Sequence, residues 1–177
     1  QRSDDALAWA DHAAAWVRRI GADEATQSRL QHNLGELHRQ RGKYDLALGA
    51  FKQALVLREK AYGPAHPNTI ESLGEIGNCY EAEGKREAAA DIGRRVVAAT
   101  EKALGPDHPA VAAALVNLAA ALGNTGDLRA ALPMYERALA ILERALPADH
   151  PFTATCLLNL SETFAGLGRS QEALATA

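Results

Sequence analysis

Apolar side chains in residues 128–146 recur at alternating steps of four and three residues. The set with this spacing is Leu128, Leu132, Tyr135, Leu139, Leu142 and Leu146. This spacing places all six on one side of an α-helix. A second set at near-helical spacing lies just before it, at Val111, Leu115, Leu118 and Leu122. The pattern therefore predicts two amphipathic helices joined by a short turn, which is a helix hairpin.

The same pattern returns every 42 residues along the chain. Glycines mark the interval at Gly42, Gly84, Gly126 and Gly168, and His-Pro pairs mark it at His66, His108 and His150. A fixed period of tens of residues is the signature of a stacked repeat protein, in which each unit packs on its neighbours. The chain is also rich in alanine and carries only 5% aromatic residues, which favours close-packed helices over strands. We therefore predict an all-α fold.

The repeat markers divide the chain into a single array. Its parts are a half-repeat helix at 1–20, repeat 1 at 21–62, repeat 2 at 63–104, repeat 3 at 105–146 and a partial repeat 4 at 147–177. The first helix of repeat 1 should end at about Gln40, before a left-handed Gly42, and the second should span 44–62. Asp23 and Asp127 are expected N-caps. Pro67 and Pro109 should be first helical residues, where the missing N–H costs nothing.

Two second helices depart from the pattern. In the second helix of repeat 2, the positions that should carry large apolar side chains are Arg86, Ala90, Gly93, Val97, Thr100 and Leu104. Gly93 stands where the other second helices carry Trp9, Phe51 and Tyr135, and glycine weakens a helix by about 1 kcal/mol. We expect a soft joint at this helix. In repeat 3, Pro133 lies past the first helical turn, so it should face outward and bend the axis.

Composition narrows the possible functions. The net charge is −3, from 19 basic and 22 acidic residues, which disfavours nucleic-acid binding. No apolar run is long enough to span a membrane and no signal-peptide pattern is present, so we expect a cytoplasmic protein without membrane contact. The chain begins at Gln1 and stops inside an apolar pattern. We therefore expect a fragment of a larger protein.

Neither a metal site nor an active site is predicted, and no cofactor is expected. The three repeat histidines should lie at least one helix spacing apart, about 8–10 Å, whereas zinc ligands all lie about 2 Å from the ion. We interpret them as turn residues. Cys79 and Cys156 lack metal-ligand spacing and are expected to be buried thiols. No GxSxG, HExxH or phosphate-binding glycine loop occurs, so we expect a protein that is not an enzyme.

The text of the repeats resembles a known family. Two stretches carry the likeness, NLGELHRQRGKYDLALGAFKQALVLREKAYGPAHP and NLAAALGNTGDLRAALPMYERALAILERALPADHP. They resemble tetratricopeptide repeats, in the 42-residue variety found in kinesin light chains and many bacterial signalling proteins. The resemblance implies a right-handed α-solenoid and suggests a bacterial origin. It also implies that small residues let each hairpin close, here Gly35, Gly77, Ala119 and Ser161 on first helices and Ala47, Ala89, Ala131 and Ala173 on second helices.

In this family the first helices line a concave groove that binds peptides. The resemblance places groove positions at Arg29, Asn33, Glu36, Glu71, Glu75, Asn78, Asn117, Asn124, Asn159 and Glu162. Ala120 and Thr155 fall in the same rows. Asparagine amides can pair with a peptide bond whatever side chain the peptide carries. An alternative interpretation is that these asparagines stabilise hairpin packing.

The neighbouring charges suggest the chemistry of the ligand. Family members that clamp a terminal carboxylate place Lys or Arg at positions occupied here by His32, Gly74, Val116 and Leu158, which puts such a clamp in doubt. The acidic groove positions suggest a ligand with basic or neutral side chains. Arg29, Arg39 and Arg41 make repeat 1 an exception, so a bipolar peptide is a further hypothesis.

Two functions from different classes follow from the sequence. The first is a non-catalytic protein–protein interaction module that binds a peptide segment in the groove. The second is an assembly or regulatory spacer of a larger signalling protein, for example a serine/threonine kinase tail, acting through end-to-end or intramolecular packing. The second hypothesis would include self-association through uncapped ends.

Overall fold

A computed structural model describes residues 9, 12–13, 15–17, 19–147 and 149–176. Within these residues the regular structure is helical, with no β-strand, which confirms the all-α prediction. The predicted half-repeat helix at 1–20 is helical at positions 9, 12–13, 15–17 and 19, and its other positions up to 18 lie outside the described residues. The complete helices are α1 (Glu24–Gln40), α2 (Tyr44–Tyr62), α3 (Pro67–Ala82), α4 (Arg86–Leu104), α5 (Pro109–Thr125), α6 (Leu128–Ala145), α7 (Pro151–Gly166) and α8 (Ser170–Thr176).

The helix ends follow from local chemistry. Asp23 and Asp127 cap α1 and α6 as predicted, because their Oδ1 atoms accept from the backbone amides of Thr26 at 2.8 Å and Ala130 at 3.0 Å. Gly126 ends α5 in the left-handed conformation, with φ 89° and ψ 0°. A side chain rarely adopts that conformation without cost, which explains a glycine at this point of each hairpin.

The His-Pro pairs start three helices. Pro67, Pro109 and Pro151 occupy the beginning of α3, α5 and α7. The preceding histidine caps each helix, because its Nδ1 accepts from the backbone amide two residues later, at 3.2 Å for His66 and 3.1 Å for His108 and His150. These histidines were predicted from sequence as turn residues, and their capping role was not predicted.

The helices divide into two compact units, residues 1–84 and 85–177. In unit 1, α1 packs on α2 and α2 packs on α3. Helix α3 ends unit 1 and α4 begins unit 2, so the division falls inside the predicted repeat 2. The repeat boundaries themselves stay a prediction.

A contact between a phenylalanine and a glycine joins α1 and α2 in unit 1. Phe51 of α2 is fully buried, and its ring lies over Gly35 of α1. A Cβ atom at Gly35 would come within 2.6 Å of Phe51 Cε1, closer than any side chain tolerates. The ring of His32 completes the contact, with its centroid 5.5 Å from that of Phe51 in an edge arrangement. The small residue at position 35 therefore sets how closely α1 and α2 approach.

In unit 2, each helix from α4 to α8 packs on the next. The core is built from the apolar stripes of α5 and α6, with α7 covering one side, and its most deeply buried large side chains include Val111, Leu115, Ile141 and Leu142. Both cysteines are buried, as predicted: Cys156 lies in this core and Cys79 lies in unit 1. Pro133 is exposed, in agreement with its predicted outward orientation.

Gly93 has a different role from the one expected. The sequence suggested a core position that simply lacks a large side chain. In the structure Leu118 of α5 occupies the space, because a Cβ atom at Gly93 would lie 3.1 Å from Leu118 Cδ1 and 3.4 Å from its Cα. Gly93 thus allows α4 and α5 to approach closely. The soft joint remains a prediction.

Two matched glycine substitutions test the close contact in unit 1. Gly49→Ala should raise the free energy of unfolding by about 0.5–1 kcal/mol, because Gly49 is exposed inside α2 with no atom near its Cβ position. Gly35→Ala should lower it by about 1–3 kcal/mol, because the new methyl group overlaps Phe51. Urea denaturation of both variants makes the comparison. If both substitutions stabilise the protein, Phe51 does not hold its place over Gly35.

Hydrogen exchange tests the soft joint. Backbone amides in residues 86–104 should exchange faster than those in 128–146, because α4 contains Gly93 and fewer large apolar side chains than α6. Exchange measured by mass spectrometry at fixed pH compares the two segments in one sample. Equal protection would contradict the prediction.

Candidate functional site

The predicted groove residues lie on first helices in both units. Unit 1 carries six of them on α1 and α3, and unit 2 carries four on α5 and α7, namely Asn117, Asn124, Asn159 and Glu162. We call these two surfaces the unit 1 face and the unit 2 face. In unit 1 the structure brings α1 and α3 together, because Arg39 Nε lies 3.7 Å from Glu75 Oε2 and His32 Nε2 lies 3.8 Å from Glu71 Oε1.

Glu36 is engaged within the unit 1 face. Both of its carboxylate oxygens accept from Arg39, at 2.9 Å from Nε and 2.7 Å from Nη2. Gln40 donates a further hydrogen bond of 2.9 Å. These bonds, those from Arg39 first, lower the pKa of Glu36 from 4.5 to about 2. Arg39 also lies near Glu75, so one guanidinium serves two of the predicted groove carboxylates.

Glu71 is paired with Arg58, a buried arginine of α2. Arg58 is only 4% exposed, and its Nη1 donates to Glu71 Oε2 and Ser72 Oγ, both at 2.9 Å. The same nitrogen donates to the backbone carbonyl of Asn68 at 2.5 Å. A buried charge requires such partners, since an unpaired one would be strongly destabilising. The carboxylate of Glu71 thus stabilises the start of α3 against α2.

Most of the predicted acidic groove positions therefore lie beside arginines of the protein itself. Glu36, Glu71 and Glu75 each have an arginine partner within 4 Å. Glu162, in unit 2, is exposed. The paired carboxylates weaken the argument from sequence for a basic ligand at the unit 1 face.

The asparagines behave differently from the carboxylates. Among the described residues, nothing hydrogen-bonds to the side-chain amides of Asn33, Asn78, Asn117 and Asn159. The first three are exposed and Asn159 is half-buried. Asn124 does interact with other groups of the protein. Asn117, Asn159 and Glu162 make no hydrogen bond or ion pair with one another in the described part of unit 2.

Other chemistry in the described regions is limited. No cluster of three or more His, Cys, Asp or Glu side chains there could hold a metal ion. Burial raises the pKa of both the Cys79 and Cys156 thiols from 9.0 to about 11, which leaves little reactive thiolate at neutral pH. None of the described helices combines the length and the apolar character needed to cross a membrane.

Sequence reasoning named Arg39 as a positive charge of repeat 1, but it missed the pairing of Arg39 and of Arg58 with the predicted groove carboxylates. Arg39 lies three residues after Glu36, a spacing at which side chains meet on a helix, so a local signal was present. Arg58 interrupts the apolar stripe at a position where Trp16 and Leu142 stand in other second helices. A charged residue in a buried stripe was the available signal for a partner on α3.

The comparisons with known proteins agree with this architecture. The family model described as Tetratricopeptide repeat matches residues 1–60, 26–102, 92–144 and 111–177. A comparison with curated protein sequences found no match.

Three solved structures with similar folds align with most of this chain. A candidate kinesin light chain from Podosopora anserina with nearly identical TPR-like repeats has a TM-score of 0.83 at 24% identity, over 98% of this chain and 83% of that one. The apo form of RapI has a TM-score of 0.82 at 14% identity, over 99% and 62%. BtubC (BKLC) from P. vanneervenii has a TM-score of 0.79 at 20% identity, over 88% and 62%.

At these identities the likeness shows the fold alone, but the family model covers the whole chain. Tetratricopeptide repeats are generally non-catalytic modules for protein–protein interaction. Nothing in these comparisons favours the alternative of an assembly or regulatory spacer. The recurrent helix pairs, the glycine-ended turns and the family match lead to one conclusion: the chain belongs to the tetratricopeptide repeat family.

Proposed function

We propose that this chain is a non-catalytic interaction module that binds an extended peptide segment along its first-helix faces. Asn33 and Asn78 of the unit 1 face, and Asn117 and Asn159 of the unit 2 face, would hold the main chain of the ligand. Other groove positions would contact its side chains.

The free amides of these four asparagines carry the proposal. Each amide offers two donors and an acceptor, which match the carbonyl and N–H of a peptide bond. If the asparagines served hairpin packing, their amides would be expected to bond to neighbouring helices. None does so within the described residues. Their availability favours ligand binding over the packing alternative.

The charge pattern supports a ligand that is largely uncharged where it meets unit 1. Glu36, Glu71 and Glu75 already have arginine partners, so a lysine or arginine of the ligand would have to compete with Arg39 or Arg58. Exposed Glu162 could still accept a basic side chain at the unit 2 face. We infer that main-chain recognition contributes more to binding than charge does.

Replacing Asn33, Asn117 and Asn159 together by alanine should weaken ligand capture without unfolding the protein. Each lost hydrogen bond is worth about 0.5–1.5 kcal/mol, and tenfold in affinity is about 1.4 kcal/mol, so binding should weaken by roughly tenfold or more. The measurement is a lysate pull-down, followed by titration of the captured protein against both forms.

A double variant, Gln53→Ala with Gln171→Ala, serves as the control. Both glutamines are exposed amides on second helices, away from the two faces, and their loss should leave capture unchanged. Circular dichroism must show equal helicity in all forms. If the asparagine variant captures the same proteins as the parent, the proposal fails.

The pairing of Glu36 can be tested by its titration. The Glu36 carboxyl should titrate near pH 2 in the folded protein, and Arg39→Ala should move its pKa back towards 4.5. Because the folded pKa is depressed, the stabilisation from this pair is present above about pH 4.5 and is lost as the pH falls towards 2. NMR titration of the Glu36 side-chain carbon measures both forms. An unshifted pKa in the parent protein would show that Glu36 is free to meet a basic ligand.

A further inference from the structure

The junction between α2 and α3 has a charge at one buried position. Arg58 of α2 is 4% exposed, and its Nη1 donates to Glu71, to Ser72 and to the backbone carbonyl of Asn68. Its Nε is buried and has no hydrogen-bond partner among the described residues. Burying a charged group costs free energy, and an unsatisfied donor adds to that cost. Stability alone is therefore a poor explanation for an arginine at this position.

Unit 2 contains the same junction in an apolar form. Two 42-residue periods after the arginine, the glutamate and the serine, the chain carries Leu142, Thr155 and Cys156. Leu142 and Cys156 are fully buried, and α6 packs on α7 there without a buried charge. Apolar residues often replace a buried ion pair without loss of stability. The repeat fold thus does not require the arginine, and its presence in unit 1 needs another explanation.

The arginine acts on a carboxylate of the unit 1 face. The side chain of Glu71 is 54% exposed, so a ligand on this face can reach it. Its Oε2 accepts from Arg58 Nη1 at 2.9 Å, and its Oε1 lies 3.8 Å from His32 Nε2. If Glu71 turned towards a ligand, the guanidinium would lose its carboxylate partner while shielded from water. Because such an uncompensated buried charge is strongly destabilising, Glu71 stays with Arg58.

The other arginine of the unit 1 face is placed differently. The side chain of Arg39 is 40% exposed, so water can solvate its guanidinium if a ligand draws Glu36 or Glu75 away. Exposed ion pairs contribute little and are easily opened. Arg58 has no such access to water. The carboxylate that is least available to a basic ligand is therefore Glu71.

We propose that Arg58 is a positioning residue that sets the charge specificity of the unit 1 face. By holding Glu71, it removes the free negative charge with which a lysine or arginine of a ligand would pair. The face then selects peptides with neutral side chains beside Glu71. Arg58 itself is buried and does not touch the ligand. This inference rests on the function proposed above, since charge selection presupposes a peptide on this face.

Fluorescence anisotropy of a labelled peptide tests this role. The probe is a short synthetic peptide with lysine at every third position among glycines and serines, and its neutral counterpart carries glutamine instead of lysine. Arg58→Leu introduces the side chain that unit 2 has at this position. This variant should bind the lysine peptide roughly two- to fivefold more tightly than the parent protein, as expected for one exposed ion pair. The affinity for the glutamine peptide should not change.

A second substitution, Glu71→Gln, locates the effect. In the Arg58→Leu form it should reverse the gain, whereas in the parent protein it should have no comparable effect, because Arg58 already holds the carboxylate. Arg94→Leu is the matched control, since it removes the same charge from an exposed arginine that pairs with Asp91 on α4. In the control background, Glu71→Gln should again have no comparable effect on the lysine peptide.

Circular dichroism must show equal helicity in all forms. Arg58→Leu should fold, because the Ser72 hydroxyl can donate instead to the carbonyl of Asn68, four residues earlier. Arg58→Met replaces the leucine variant if helicity falls, and loss of helicity in both would overturn the inference by making Arg58 a requirement of the fold.

Two binding results would also overturn it. One is an Arg58→Leu form that gains no affinity for the lysine peptide, and the other is an equal effect of Glu71→Gln in the parent and Arg58→Leu backgrounds. The lysine peptide reports on Glu71 and not on the asparagine amides. Capture that survives the triple asparagine substitution would count against the proposed function instead, so the two failures can be distinguished.

Discussion

The approach of neighbouring helices depends on one recurrent contact, in which a large side chain of one helix meets a residue without a side chain on the next. In unit 1 the pair is Phe51 on Gly35, and in unit 2 it is Leu118 on Gly93. Gly35 lies on the first helix of a hairpin, whereas Gly93 lies on a second helix and meets the first helix that follows it. Dense packing makes such contacts intolerant of even one methyl group. In these two helix pairs, the distance between the helices therefore depends on the glycine.

In unit 1, most of the charged side chains at the predicted groove contact one another across the helices. Arg39 bridges from Glu36 on its own helix towards Glu75 on α3. The buried Arg58 connects α2 to the first two turns of α3 through Glu71, Ser72 and the backbone of Asn68. These residues hold three helices in register. What they leave for recognition is a set of neutral amides, together with the exposed Arg29.

Sequence reasoning predicted the helical architecture well because its signals are local. The 42-residue period, the prolines after the histidines and the caps at Asp23 and Asp127 each act within a few residues of the backbone they control. The interactions across helices were harder to predict. Whether Glu71 faces a ligand or Arg58 depends on the rotation of α3 against α2. This rotation cannot be predicted from the spacing of residues within α3. The same limit applied to Gly93, whose neighbour Leu118 lies on the following helix.

The histidine caps place a chemical condition on the fold. An imidazole nitrogen accepts a hydrogen bond only while it carries a lone pair, so His66, His108 and His150 must each keep Nδ1 unprotonated to hold the starts of α3, α5 and α7. All three therefore share one neutral tautomer, with the proton on Nε2. The repeat that copies a helix start along the chain therefore also copies the imidazole tautomer that this start requires.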